Sequence, residues 1–215
     1  WAAFIDDGQI EIDGELFDEL TNTIVRQVGD LRKMVDEFSS FARLPKPVFR
    51  QEDAVDLVRQ SLFLQEVGNA EVTYSFEADG EIPPVECDRH QFGQAMTNVL
   101  KNAAEAIEAR GRDSGEDYRG KIAVRVSADS EHLDVTVTDN GIGLPGSHEN
   151  IMEPYVTTRE KGTGLGLALT KSFAEMHGGT LSISSIEGEG TTVAFTLPIA
   201  GPGEIEDEAA DRDAA

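Results

Sequence analysis

Two glycine-rich stretches about twenty residues apart constrain this chain more than any other feature. The first, Asp139-Asn140-Gly141-Ile142-Gly143, follows a run with Leu133, Val135 and Val137 on one face and Asp134, Thr136 and Thr138 on the other, the period of a strand. The second, Gly162-Thr163-Gly164-Leu165-Gly166-Leu167, opens a helical run from Leu165 to His177 that stops at Gly178-Gly179, a C-terminal glycine signal. A strand that ends this way sets a carboxylate beside bare backbone. Glycines feeding a helix start offer N–H groups and a positive dipole end to phosphate. The pair predicts a nucleotide held at both ends, the base at one and the phosphates at the other.

The formal net charge is −23, from 41 acidic and 18 basic residues. This balance argues against nucleic acid as a partner, because phosphate contacts need clustered Lys and Arg, and against an anionic membrane face. ATP is still compatible if a local cluster and a metal ion neutralise its phosphates. At 215 residues, 39% of them hydrophobic, the chain can bury a real core and carry an appendage. No run of eighteen apolar residues is present, so no segment reads as a membrane span. Cys87, the only cysteine, excludes an internal disulfide, suits a reducing compartment and reads as a small buried apolar residue. The chain begins with Trp1, as a piece of a longer protein would.

Residues 1–15 are acidic with little periodicity. From Leu16 to Arg43, Phe17, Leu20, Ile24, Val28, Leu31, Val35, Phe38 and Ala42 recur every three or four positions. That is an amphipathic helix of about 40 Å with a narrow apolar seam, a bundle or coiled-coil element, stopped by Leu44-Pro45-Lys46-Pro47. Beyond it, strands are predicted at 71–76, 122–127, 133–138, 180–185 and 192–197, and helices at 52–66, 88–110 and 165–177. Residues 111–120 read as a polar loop. Residues 144–162, between the glycine stretches, are too long for an idle connection and read as a lid with a short turn near Glu149–Met152. The acidic residues 203–215 read as a disordered tail.

The predicted helix 88–110 places Asn98 and Asn102 one turn apart on a single face, with Phe92, Val99, Ala103 and Ile107 available to a core. Asn is a poor interior helix residue because its amide competes for the backbone. Two of them stacked point to a use: amide oxygen to a hard cation, amide nitrogen to phosphate oxygen.

At this point five stretches fall into order: Asn98-Val99-Leu100-Lys101-Asn102-Ala103; Asp139-x-Gly-x-Gly; Glu153-Pro154-Tyr155-Val156-Thr157-Thr158-Arg159; Gly162-x-Gly-x-Gly-Leu167; and Gly188-x-Gly190-Thr191-Thr192 with Leu197-Pro198. Together they resemble the asparagine box, the first glycine, phenylalanine and second glycine boxes, and the closing strand of bacterial two-component sensor histidine kinases. The departures are mild, with Met152 where Phe is frequent and Arg159 where Lys is usual. The resemblance covers residues 46–200. It implies an α+β fold, the two-layer α/β sandwich of the gyrase and histidine-kinase ATPase type, preceded by one long bundle helix. Arg26 to Pro45 resembles the second helix of a dimerisation and phosphotransfer hairpin, with wording closest to NtrY-like nitrogen-regulation kinases. The implied organisation is a hairpin remnant at 1–45, a catalytic ATP-binding domain at 46–200 and a tail at 201–215. The implied setting is cytoplasmic, within a parent that can be membrane-anchored.

The implied roles are specific. Asp139 would accept from the exocyclic amine of adenine, with Gly141 and Gly143 letting the backbone pass close to the base. Asn102 would ligate Mg²⁺, and Asn98 would lie near the phosphates of ATP. Gly162, Thr163, Gly164, Leu165 and Gly166 would cradle those phosphates. Thr158, Arg159 and Lys161 belong to the lid, Arg159 and Lys161 as its cations, and Tyr155 would pack the lid on the domain. Lys101 is open between phosphate contact and a solvated position. None of His90, His132, His148 and His177 sits in the His-Glu-x-x-Asn-Pro setting of a phosphoacceptor; His177 reads as a cation suited to a helix C-terminus. The acceptor helix is therefore expected outside this stretch, which would bind ATP without phosphorylating itself. The implied partners are that helix, a response regulator and a second copy through the long helix. The competing readings are an ATPase or serine kinase of the same fold, and a degenerate dimerising module.

Overall fold

The computed structural model describes residues 3–6, 9–12, 14–42, 45–113, 118–146, 150–157 and 163–203. The chain forms two compact units. In the first, β1 (Ala3–Asp6) and β2 (Gln9–Ile12) pair antiparallel, and α1 runs from Gly14 to Ala42. Residues 1–15 show little periodicity because four-residue strands are too short to carry one. The apolar row expected on α1 is exposed at Phe17, Leu20, Ile24, Val28, Leu31 and Val35.

The second unit begins at Pro45. Its main sheet takes β4 (Val72–Asp79), β6 (Gly120–Ala128), β7 (His132–Asp139), β9 (Gly190–Pro198) and β8 (Thr180–Ile186) in the order β4-β6-β7-β9-β8. Only β4 and β6 run parallel within this sheet; its other neighbours are antiparallel. Two three-residue strands, β3 (Arg50–Glu52) and β5 (Val85–Cys87), pair separately. They escape sequence reading for the same reason as the hairpin.

Alternation carries the sheet. Phe76, Val124, Val137, Val193 and Ile183 form one cross-strand row, and Val126, Val135, Phe195 and Leu181 form the next. One pleated face is thereby apolar along its width. Three helices supply the second layer: α2 (Ala54–Gly68), α3 (Arg89–Asp113) and α4 (Gly166–Met176). The expected positions Phe92, Val99, Ala103 and Ile107 of α3 are all buried. Phe92, Phe173 and Phe195 meet edge to face at 5.7–6.0 Å, tying α3, α4 and β9 together. Each such buried ring contributes about 1.5–3 kcal/mol by burial alone. The third helix runs to Asp113 rather than Arg110. An Arg112–Glu108 ion pair one turn apart spans the added residues.

Asp88 starts α3. Its Oδ1 accepts from the N–H groups of His90 and Gln91 at 2.9 and 3.0 Å, and its Oδ2 from Val48 at 2.7 Å. The same carboxylate caps a helix and anchors the segment that enters the domain.

Candidate functional site

The third helix is the ruler of the site. Asn98, Asn102, Ala106 and Arg110 succeed one another at intervals of four, so they share one face over three turns, about 18 Å. The first two stand at one end of the site and the last two at the other.

At the first end lies the start of α4. Asn98 Nδ2 donates to the Gly166 carbonyl at 3.4 Å, as does Thr170 Oγ1 at 2.9 Å. Leu165 at the cap position supplies no side-chain bond to the first turn, so this helix N-terminus has no side-chain cap, and its positive dipole end attracts an anion. A Cβ at Gly166 would meet nothing closer than Asn102 Nδ2 at 3.7 Å and Asn98 Cβ at 3.9 Å. The fold itself does not need a glycine there. Space is kept open between two amides and a helix start.

At the other end Asp139 closes β7, 8% exposed, with its Oδ1 accepting from the Gly141 N–H at 2.8 Å. The loop is strapped on both sides. Ile142 N–H donates to Ala106 O at 3.0 Å and Gly188 N–H to Ile142 O at 2.7 Å. A Cβ at Gly141 would lie 2.6 Å from the Ala106 backbone, and one at Gly143 would lie 2.2 Å from the Ile186 carbonyl. The protein's own packing therefore already requires bare backbone at both.

Between the ends, Tyr155 N–H donates to Gly164 O at 3.1 Å. Both residues hold φ of +68, and a Cβ on Gly164 would come within 2.6 Å of the Tyr155 backbone. This clasp ties Tyr155 to the segment that leads into α4. An acceptor-only carboxylate at one end, with amides and an uncapped helix start at the other, is chemistry that fits an adenine nucleotide.

Residues 87–201 match the family described as "Histidine kinase-, DNA gyrase B-, and HSP90-like ATPase". The chain belongs to this ATPase family. Within it, the chain is 50% identical over 88% of its length to the nitrogen regulation protein NtrY of Azorhizobium caulinodans, covering 24% of that protein. It thus spans about a quarter of that curated relative. Among solved structures it resembles full-length ShkA in complex with AMPPNP, with a TM-score of 0.70 and 26% identity, covering 83% of this chain and 38% of that one. It also resembles the histidine kinase ThkA in complex with the response regulator protein TrrA, with a TM-score of 0.66 and 25% identity, covering 91% and 53%. The expected two-layer sandwich is the fold of this ATPase family.

Most of the positions anticipated for such an ATPase converge. Asn98, Asn102, Leu165 and Gly166 gather at one end of the α3 face, Asp139, Gly141 and Gly143 at the other, and Gly164 beside Tyr155. Thr163 directly precedes Gly164. Thr158, Arg159, Lys161 and Gly162 lie outside the described residues, as do His148 and the tail from 204. The ring of Tyr155 is 59% exposed, and its backbone N–H makes the bond to Gly164. Lys101 is exposed and pairs with Glu105 at 4.0 Å, a solvated position.

His177 is a correction. It is fully buried, and burial pushes its imidazole below the ordinary range, opposed by the Phe173 carbonyl and by Asp88. Its Nε2 accepts from the Asp88 N–H at 3.0 Å while Nδ1 lies 2.8 Å from Phe173 O. It is a neutral core residue, not a cation on a helix end. Sequence reading also missed Arg110 and Tyr118, which brace the loop after Asp139 through the Asn140 carbonyl. The only available signal was the four-residue interval that links Arg110 to the asparagines.

Proposed function

We propose that this chain is the ATP-binding catalytic part of a sensor histidine kinase, holding Mg-ATP so that its γ-phosphoryl group reaches a histidine elsewhere in the polypeptide. The observation that carries the reading is the α3 face, with Asn98 clasping Gly166 beside an uncapped helix start and Ala106 strapping the loop of Asp139. Bound Mg-ATP supplies an electrophilic phosphorus whose transfer needs mainly positioning and charge stabilisation. In this reading Asp139 accepts from the exocyclic amine of adenine and so discriminates against guanine. The N–H groups from Thr163 to Gly166 face the phosphates, Asn98 holds the helix start, and Asn102 offers its amide oxygen to Mg²⁺. Among the described residues no cluster of three His, Cys, Asp or Glu could hold a metal. A single amide oxygen, with phosphates and water, is the share of the shell a protein commonly gives Mg²⁺. The same reading assigns Arg159 and Lys161 to neutralising phosphate charge, and Thr158 and Gly162 to nucleotide binding.

The acceptor histidine, a response regulator and a second copy docking on the apolar row of α1 are the partners of this reading, in a cytoplasmic setting. No described helix is long and apolar enough to cross a membrane. Calorimetric titration with AMPPNP, with and without Mg²⁺, tests the reading. Binding should be strengthened by the metal and fall at least about ten-fold in Asp139→Asn, the loss of one charged hydrogen bond. A folded wild-type chain that takes up no nucleotide would end it.

A further inference from the structure

The Arg110 guanidinium, from the last turns of α3, reaches three backbone carbonyls through Nη1: Asn140 at 2.8 Å, Glu189 at 3.1 Å and Gly141 at 3.4 Å. Two belong to the loop that follows Asp139 and the third to the turn joining β8 to β9. The guanidinium carbon lies 5.2 Å from the centre of the Tyr118 ring, and the Tyr118 hydroxyl donates to the same Asn140 carbonyl at 2.9 Å. The Asn140 side chain is pinned in turn, accepting from Lys121 N–H at 2.7 Å and donating to Arg119 O at 2.8 Å. Tyr118 also packs against the core, but it and Arg110 are only half-buried. What it immobilises is the segment that carries the Asp139 carboxylate.

We infer that Arg110, supported by Tyr118, is a positioning residue for base recognition, fixing the loop so that the Asp139 carboxylate meets an exocyclic amine at one defined place. The inference rests on the proposed ATP reading and extends it to which base is accepted. A cation shared among three carbonyls stiffens a loop more than neutral bonds do, because charged hydrogen bonds are roughly twice as strong. The bonds act on the peptide planes at 140 and 141, adjacent to the carboxylate. Loosening them lets Asp139 swing and also accommodate a base that presents a carbonyl in place of the amine.

The test compares ATP with inosine triphosphate, which replaces that amine by a carbonyl, in calorimetric titrations of the 215-residue chain. Wild type should prefer ATP, and Asp139→Asn should lose that preference. Arg110→Met should reduce the ratio of the two affinities about ten-fold, the equivalent of one charged hydrogen bond. Arg110→Lys, which keeps a cationic nitrogen, should restore part of it. A general loss of structure would weaken both nucleotides together and leave the ratio untouched. Tyr118→Phe, which removes one bond to Asn140 and no charge, gives a milder shift in the same direction and covers the case in which Arg110→Met fails to fold. An unchanged ratio in Arg110→Met and Tyr118→Phe, with Asp139→Asn still affected, overturns this inference alone. An unchanged ratio in Asp139→Asn, or no binding by wild type, overturns the ATP reading and this inference with it.

Discussion

His177 and Asp88, 89 residues apart, meet through a buried hydrogen bond in which the Asp88 N–H donates to Nε2 at 3.0 Å. The imidazole is wedged between the rings of Phe173 at 4.4 Å and Phe49 at 5.0 Å. Through this pair the end of α4, the start of α3 and the segment entering the domain share one junction. The opposite end of α4 starts at Gly166, whose carbonyl accepts from Asn98.

The junction predicts a pH dependence. Burial lowers the His177 pKa below its ordinary value of 6.5, so between the folded value and 6.5 the unfolded chain binds the proton more readily. Stability from neutral His177 is therefore present above 6.5 and lost as pH falls through the folded value. Urea unfolding between pH 5 and 8, as orders of pH about neutrality, should show this loss in wild type and not in His177→Gln. The variant should itself be destabilised by about 1–3 kcal/mol through the disrupted buried partners. Parallel pH profiles would contradict it.

Asp88→Ala removes three N–H acceptor contacts at once. Desolvation alone would raise the Asp88 carboxyl, but donation from Val48, Gln91 and His90 together outweighs it, with His177 adding to the lowering. A lowered carboxylate contributes stability above its ordinary 3.8 that is lost as pH falls through the folded value. The cap loss should cost about 1–2 kcal/mol. Hydrogen exchange at Val48 N–H should also accelerate, which cap loss alone would not produce.

Gly164 and Gly166 should respond oppositely to alanine. Gly164→Ala forces a Cβ onto the Tyr155 backbone at positive φ, a strain of about 1–3 kcal/mol, so the lid clasp should open. Gly166→Ala meets no such contact and should leave stability equal or raised by about 0.5–1 kcal/mol, since Ala favours a helix. AMPPNP affinity should nevertheless drop. Thermal unfolding beside calorimetry separates the two. Full affinity in a folded Gly166→Ala would show that the open space serves no ligand.

Cys87 is a built-in reporter of unfolding. It is fully buried, and burial, reinforced by Glu52 and Asp88 against Arg89, pushes its thiol up to about 12. Alkylation should be undetectable in the native chain and rapid in denaturant, because the thiolate is the nucleophile. Fast modification under native conditions would show that β5 opens locally.

The long elements were legible because their signals are local and repeated. Leu133, Val135 and Val137 alternate over a whole strand, the apolar row of α1 spans several turns, and the glycines of each stretch fall two apart and the asparagines four apart. A period needs several repeats to stand above chance, so β1, β2, β3 and β5 left none. Charge state was no more readable. His177 before Gly178 looks like an exposed cation until the rings of Phe49 and Phe173 close over it and desolvate it.

By itself the sequence determined which residues share a face and on which elements they ride, because an interval of four on a helix or two on a strand dictates it. Only the tertiary structure decided why each is there. Gly141 and Gly143 are bare because Ala106 and Ile186 already occupy the space, whereas Gly166 is bare with space left over. Arg110 acquires its place only when the β8–β9 turn folds back to meet α3. Such contacts join residues far apart in the chain, and no local pattern records them.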